Sequence, residues 1–85
     1  MQANQVEKMI ETGLTGAQVQ VKSDDGSHFN VVVVSENFID QSTIKQHQMV
    51  YGCLGNSIES NEIHAISLQT YTPQEWDQLT KQQVS

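Results

Sequence analysis

The side chains best suited to ligate a transition metal or to carry nucleophilic chemistry in this sequence are His28, His47, His64 and Cys53. A nucleophilic thiol needs a lowered pKa and a neighbouring base, and the sequence shows no such base for Cys53. Two imidazoles, or an imidazole and a thiolate, are an incomplete set for one chain, because a closed zinc site needs four ligands. We therefore expect the free protein to hold no metal tightly, and a partner to supply the remaining ligands of any metal that it binds.

His28 follows a turn of small and acidic residues that runs from Ser23 to Ser27. By alternation its side chain faces away from the buried side of the next strand. It is therefore either a solvated turn residue or a ligand. Asp24 and Asp25 lie close to it in this flexible turn, and we expect them to favour its charged form.

The other three residues also have structural interpretations. His64 shares parity with Ile66, which makes it either a ligand or a half-buried imidazole bonded to backbone. His47 and Cys53 fall on a predicted helix, where they are most simply packing residues. Strand alternation places His28 on the open face of the sheet and His64 on the core face. The two can therefore meet only if His64 lies at or before the start of its strand.

Length, charge and composition limit the classes of function that this chain can have. The 85 residues correspond to one domain, 1–85, with 81–85 expected as a frayed tail. Four lysines, no arginine and ten acidic residues give a net charge of −6, which counts against general binding to a nucleic-acid backbone. The single cysteine, and the lack of an apolar stretch long enough for a membrane span or of a signal segment, lead us to expect a cytoplasmic protein with no membrane contact.

Hydrophobic periodicity predicts the elements that position these residues. Asn4, with Glu7 in capping-box spacing, is expected to begin the first helix. Alternation then predicts a strand over 17–22 and another from about 28 to 35, joined as an antiparallel hairpin. A short irregular or single-turn segment, 35–40, should follow.

In the second half, Ser42 is expected to cap a longer helix that bends or stops at Gly55. The apolar stripe that predicts its buried face consists of Ile44, His47, Tyr51, Leu54 and Ile58. A third strand is expected over 63–71. The segment Thr72-Pro73-Gln74-Glu75 then forms a complete helix start, and Trp76 should anchor that helix to the sheet or to a neighbouring helix.

The predicted order is α-β-β-α(α)-β-α, in which the longer helix is single or a pair. It indicates an α+β sandwich of two layers, with a three-stranded mixed sheet and helices on one face. An enzyme is the weakest class, because no nucleophile–base or acid–base pair is visible. A metal-binding adaptor, a nucleic-acid-binding regulator and a stress-response module without metal all remain open.

Three blocks of the chain, in order, resemble the BolA-like family, and within it look most like the acid-stress-associated IbaG branch. The blocks are the hairpin segment 25–38, the helix segment 46–51 and the segment 63–76, which is the most specific. Gln46 and Gln48 stand where many members carry arginine, and this departure weakens a DNA-contacting role for the helix.

The resemblance implies a KH-like α+β fold that lacks the loop with which KH domains clamp nucleic acid. It also implies a monothiol glutaredoxin as partner, with a 2Fe–2S cluster held by the glutaredoxin cysteine, glutathione and this chain. His64 matches the family ligand of the last block, and His28 matches the ligand in the first hairpin loop. His47 and Cys53 are the alternatives. A nucleic-acid-binding transcriptional regulator is the alternative function, and we expect a monomer in isolation, with weak homodimerisation left open.

Overall fold

The computed structural model describes residues 2–55 and 65–84, which form the α+β fold predicted from periodicity. In chain order the elements are α1 (Ala3–Gly13), β1 (Gln18–Lys22), β2 (Phe29–Val34), a 3-10 turn (Glu36–Phe38), α2 (Thr43–Leu54), β3 (Ile66–Tyr71) and α3 (Pro73–Val84). None of these helices is both long enough and apolar enough to cross a bilayer.

The sheet is mixed, and its central strand is β2. The strand β1 pairs antiparallel with β2, and β2 pairs in parallel with β3, which gives the spatial order β1-β2-β3. Within β2, Phe29, Val31 and Val33 are buried while Asn30 is exposed, as alternation predicts. The parallel pair requires a long connection between β2 and β3, and α2 lies in that connection.

The core lies where α1 and α2 cover one face of this sheet. Val6 and Ile10 of α1 and Val50 of α2 pack into the same buried cluster as the inward residues of β2. Each such side chain contributes about 1.5–3 kcal/mol when it is fully buried. The sandwich is therefore held mainly by aliphatic residues at helical spacing on one side and at strand spacing on the other.

The buried face of α2 differs from the predicted stripe. Ile44 is 73% exposed, whereas Gln46 is only 8% exposed and shares the inward face with Val50 and Leu54. Spacings of three and four residues describe both faces, so the orientation of α2 is decided by what it packs against. The predicted stripe member Ile58 lies outside the described residues.

The boundaries of α2 agree with the sequence. The Ser42 hydroxyl accepts a hydrogen bond from the Lys45 amide at 3.1 Å, as an N-cap does. The helix stops at Leu54, and Gly55 follows with φ +53°, a region that favours glycine. The second member of the alternative helix pair would fall within 56–64, outside the described part of the chain.

Other boundaries needed correction. The helix α1 begins at Ala3 rather than Asn4, because the Gln2 amide donates to Oε1 of Gln5 at 2.9 Å and so occupies the capping position expected for Asn4 and Glu7. The strand β2 begins at Phe29, one residue later than predicted.

The predicted start of the third strand at residue 63 lies outside the described residues. In the part that is described, Ala65 is not in the strand, and β3 runs from Ile66.

The start of α3 is the one predicted. The Thr72 amide donates to Oε1 of Glu75 at 2.8 Å, and the Glu75 amide donates to Oγ1 of Thr72 at 3.2 Å. Trp76 is half-buried, and its ring lies 5.4 Å from that of Tyr71, the last residue of β3, so it anchors α3 to the end of the sheet. The helix runs to Val84, and the fraying of 81–85 stays a prediction.

Candidate functional site

The turn between β1 and β2 is closed by side chains and carries His28. Oδ1 of Asp25 accepts hydrogen bonds from the amides of Ser27 (2.9 Å) and His28 (2.8 Å), and Oδ2 lies 2.9 Å from Nδ1 of the His28 ring. Ser23 Oγ accepts from the amide of Gly26, whose φ of +73° suits glycine. The turn predicted to be flexible thus contains hydrogen bonds that orient the imidazole.

Asp25, and not Asp24, is the acidic neighbour that contacts His28. The hydrogen bond from the His28 ring is the largest cause that holds the pKa of Asp25 well below its ordinary range, and the hydrogen bonds from the two backbone amides add to it. The His28 side chain is 75% exposed, and among the described residues its other ring nitrogen, Nε2, has no hydrogen-bond partner. The expectation that acidic neighbours favour its charged form stays a prediction.

His64, the other predicted ligand, lies outside the described residues, so its role stays a prediction. The neighbouring strand start is described: Ile66, two positions after His64, pairs with Phe29, the residue after His28. Neighbouring strands lie roughly 4.8 Å apart, and consecutive Cα atoms roughly 3.8 Å apart. The described strand β3 begins at Ile66, and the convergence of His64 with His28 stays a prediction.

The two alternative ligands lie on α2. His47 is half-buried. Cys53 is half-buried, its Sγ donates to the carbonyl of Met49 at 3.3 Å, and burial raises the pKa of its thiol, which is the opposite of activation. Within residues 2–55 and 65–84 there is no group of three His, Cys, Asp or Glu side chains arranged to hold a metal ion.

Gln46 is a buried polar residue whose burial the sequence pattern did not predict. Its Nε2 donates to the carbonyls of Phe38 (3.1 Å) and Gln41 (3.0 Å), and its Oε1 accepts from the hydroxyl of Thr70 (2.6 Å). It therefore ties α2 to the segment after β2 and to β3. Its spacing of four residues from Val50 was the available signal, but its polarity argued for the outer face.

A groove of about 440 Å³ lies at the other end of the sheet, beside α3. Gln18 and Val34 line it from the strands, and Trp76, Asp77 and Thr80 line it from the helix. Among the described residues that line it there is no histidine or cysteine. It is formed by segments far apart in sequence, so no local pattern predicts it, and it brings none of the predicted site residues together.

Comparison with known proteins connects these features to one family. A family model described as "BolA-like protein" matches residues 6–75. The acid stress protein IbaG of Escherichia coli K12 is 43% identical over 76 residues, which cover 89% of this chain and 89% of that protein.

A second relative and a solved structure agree. The protein named DNA-binding transcriptional regulator BolA, from Escherichia coli K12, is 39% identical over 59 residues, which cover 69% of this chain and 55% of that protein. The structure of a BolA homologue from Coxiella burnetii superimposes with a TM-score of 0.77 at 38% identity, and the match covers 91% of this chain and 97% of that one.

Proposed function

This chain belongs to the BolA-like protein family, and we propose that it is a non-enzymatic adaptor that binds a monothiol glutaredoxin and shares a 2Fe–2S cluster with it. The two curated relatives described above are named as a stress protein and a regulator, not as enzymes. An acid-stress or iron-related role in the cytoplasm, where a lone cysteine stays reduced, fits this assignment.

The observation that carries the proposal is the hydrogen bonding and exposure of the His28 ring. Its Nδ1 is held by a carboxylate, and the ring is largely exposed beside the start of a sheet. Histidines that ligate metals almost always have their second ring nitrogen bonded to a carboxylate, a carbonyl or water. The donor chemistry of this turn therefore fits a metal ligand better than it fits a merely solvated turn residue.

The sheet register supports His64 as the second ligand. The parallel pairing of Phe29 with Ile66 brings the chain into β3 next to the end of the turn that carries His28. Two imidazoles from one chain would then face a partner that completes the ligand set. In the family pattern, the glutaredoxin cysteine and glutathione supply the rest, and histidine in place of thiolate raises the potential of such a cluster.

The test is to mix the purified protein with a cluster-loaded monothiol glutaredoxin and to record visible absorption and circular dichroism. We expect a heterodimer with a spectrum distinct from that of the glutaredoxin alone. His64→Ala should abolish that spectrum, and His28→Ala should weaken or alter it.

His47→Ala and Cys53→Ser are the matched controls, because both residues are half-buried on α2 and make no hydrogen bond with the described turn. Neither should change the spectrum. A heterodimer that keeps its cluster and an unaltered spectrum in His64→Ala would refute the ligand assignment, and Cys53 would be the next ligand to test.

DNA binding is the second candidate, because one relative is named as a DNA-binding regulator. The net charge of −6 and the absence of arginine oppose it, since phosphate contacts depend on basic side chains. Fluorescence anisotropy with a short labelled duplex decides the matter. We expect no binding at physiological salt, and tight binding that weakens steeply with added salt would favour the regulator instead.

A further inference from the structure

The hydrogen bonds of Asp25 carry an inference that rests on the proposed function and makes it more specific. One carboxylate joins two kinds of group in the turn: its Oδ1 binds two backbone amides, and its Oδ2 binds the imidazole of His28. The hydrogen bonds from the two backbone amides fix the position of the carboxylate relative to the backbone of His28. The ring bond then sets the rotation of the imidazole.

The same contact determines which ring nitrogen has a free lone pair. A carboxylate that already accepts two N–H groups acts as an acceptor, so the ring must donate through Nδ1–H. A neutral imidazole carries one N–H, which leaves the lone pair on Nε2. An unconstrained histidine prefers the opposite tautomer, with the proton on Nε2, so the turn reverses the intrinsic preference.

We infer that Asp25 is the positioning residue of the cluster site: it holds His28 in the Nδ1–H tautomer and presents Nε2 as the ligating atom. This role depends on the hydrogen bond to the ring and not on the negative charge alone. Asp24 has the same charge and is adjacent in sequence, but it makes no hydrogen bond with the His28 ring. The exposure of the His28 side chain leaves the ring accessible to a partner.

The decisive variant is Asp25→Asn. The asparagine Oδ1 can still accept from the amides of Ser27 and His28, so the turn keeps its backbone contacts. Its Nδ2 is a donor, which favours an unprotonated Nδ1 on His28 and moves the proton to Nε2. Asp24→Asn is the control, because it makes the same change in charge without touching the ring.

The first readout needs no cluster. Long-range ¹H–¹⁵N correlation spectra of the free labelled protein, at about pH 8 and well above the ordinary imidazole pKa, report which ring nitrogen carries the proton. We expect protonated Nδ1 in the wild type and in Asp24→Asn, and protonated Nε2 in Asp25→Asn. Unshifted β2 amides confirm that the variant is folded, and the wild-type tautomer tests the inference even if the variant does not fold.

The second readout is the rate at which the cluster-loaded heterodimer with a monothiol glutaredoxin loses its cluster to a chelator. Asp25→Asn should lose it roughly ten- to a hundredfold faster, as is typical when the partner of a metal-ligating histidine is removed. Asp24→Asn should match the wild type. A wild-type His28 protonated on Nε2, or equal rates of loss for Asp25→Asn and the wild type, would overturn the inference.

These outcomes also separate the inference from the proposed function. If the cluster spectrum depends on His28 but the wild-type ring is protonated on Nε2, the adaptor function stands and the role of Asp25 is refuted. If the ring is protonated on Nδ1 but the wild type takes up no cluster, the adaptor function is refuted, and the ligand role fails with it.

Discussion

Gly13 of α1 lies directly against Cys53 of α2, so that a β-carbon on Gly13 would sit 2.5 Å from Sγ and 2.9 Å from Cβ of Cys53. Real Cβ atoms do not approach so closely, and the third neighbour is the backbone of Cys53 itself, at 3.3 Å. Gly13 is therefore what allows the two helices to approach at this point. The contact also explains why Cys53 is partly buried.

Gly13→Ala should destabilise the protein. Alanine usually stabilises a helix by about 0.5–1 kcal/mol relative to glycine, but overpacking at the crossing costs about 1–3 kcal/mol and should prevail. The free energy of unfolding in urea measures the balance. Gly52→Ala is the control, because a β-carbon there meets no atom within 4 Å, and that variant should be more stable than the wild type. Equal gains from both variants would mean that the helices separate freely.

Gln46→Leu should lower the free energy of unfolding by about 2–3 kcal/mol. The substitution keeps an apolar side chain on the buried face but leaves two carbonyls and the Thr70 hydroxyl without their partner. Gln48→Leu, at an exposed position of the same helix, should change stability by less than about 0.5 kcal/mol. If urea midpoints show Gln46→Leu to be as stable as Gln48→Leu, the buried network makes no net contribution.

The contrast between Ile44 and Gln46 shows what the sequence could and could not predict. Element order, the inward valines of β2 and the start of α3 were predictable, because alternation and capping are local patterns. The buried face of α2 was not, because the same spacing of three and four residues fits both the predicted stripe and the observed face, which excludes Ile44 and includes Gln46. The partners of Gln46 lie eight residues before it and twenty-four after it, so only the assembled fold reveals them.

The candidate site was likewise predictable only in part. Composition and spacing marked His28 and its acidic neighbours, but two adjacent aspartates offer the same charge at nearly the same distance in sequence. Only the conformation of the turn, in which Gly26 has a φ of +73°, selects Asp25 as the partner of the His28 ring. The pairing of Phe29 with Ile66, on which the predicted meeting of His28 with His64 rests, is set across the sheet and not by local pattern.

Thr72→Ala should cost about 1 kcal/mol of stability, the usual effect of losing an N-cap side chain. The lost contact is the hydrogen bond from the Glu75 amide to the Thr72 hydroxyl. Thr80→Ala is the matched control, since within the described part of the chain its hydroxyl bonds to carbonyls of the same helix. That variant should stay within about 0.5 kcal/mol of the wild type in chemical denaturation. Equal losses from the two would mean that the cap adds nothing.

Trp76→Ala should cost about 2 kcal/mol, which is less than a fully buried tryptophan because the ring is half-exposed. Its packing partner is the ring of Tyr71, tilted by 47°. Trp76→Phe should lose less than half as much, because an aromatic pair remains. Urea denaturation followed by circular dichroism measures both. A nearly neutral Trp76→Ala would make the exposed ring, and the groove that it lines, the better candidate for partner binding.

Cys53 should react slowly with iodoacetamide in the native protein. The thiolate is the reactive form, and burial raises the pKa of this thiol above its ordinary value of about 8.5. The native state therefore keeps the proton to higher pH, and the midpoint of the rate–pH profile should lie above that of the same protein unfolded in urea. At about pH 8 the native thiol should be alkylated several-fold more slowly than the unfolded one. A native midpoint at or below the unfolded midpoint would identify an activated thiol and restore Cys53 as a candidate ligand.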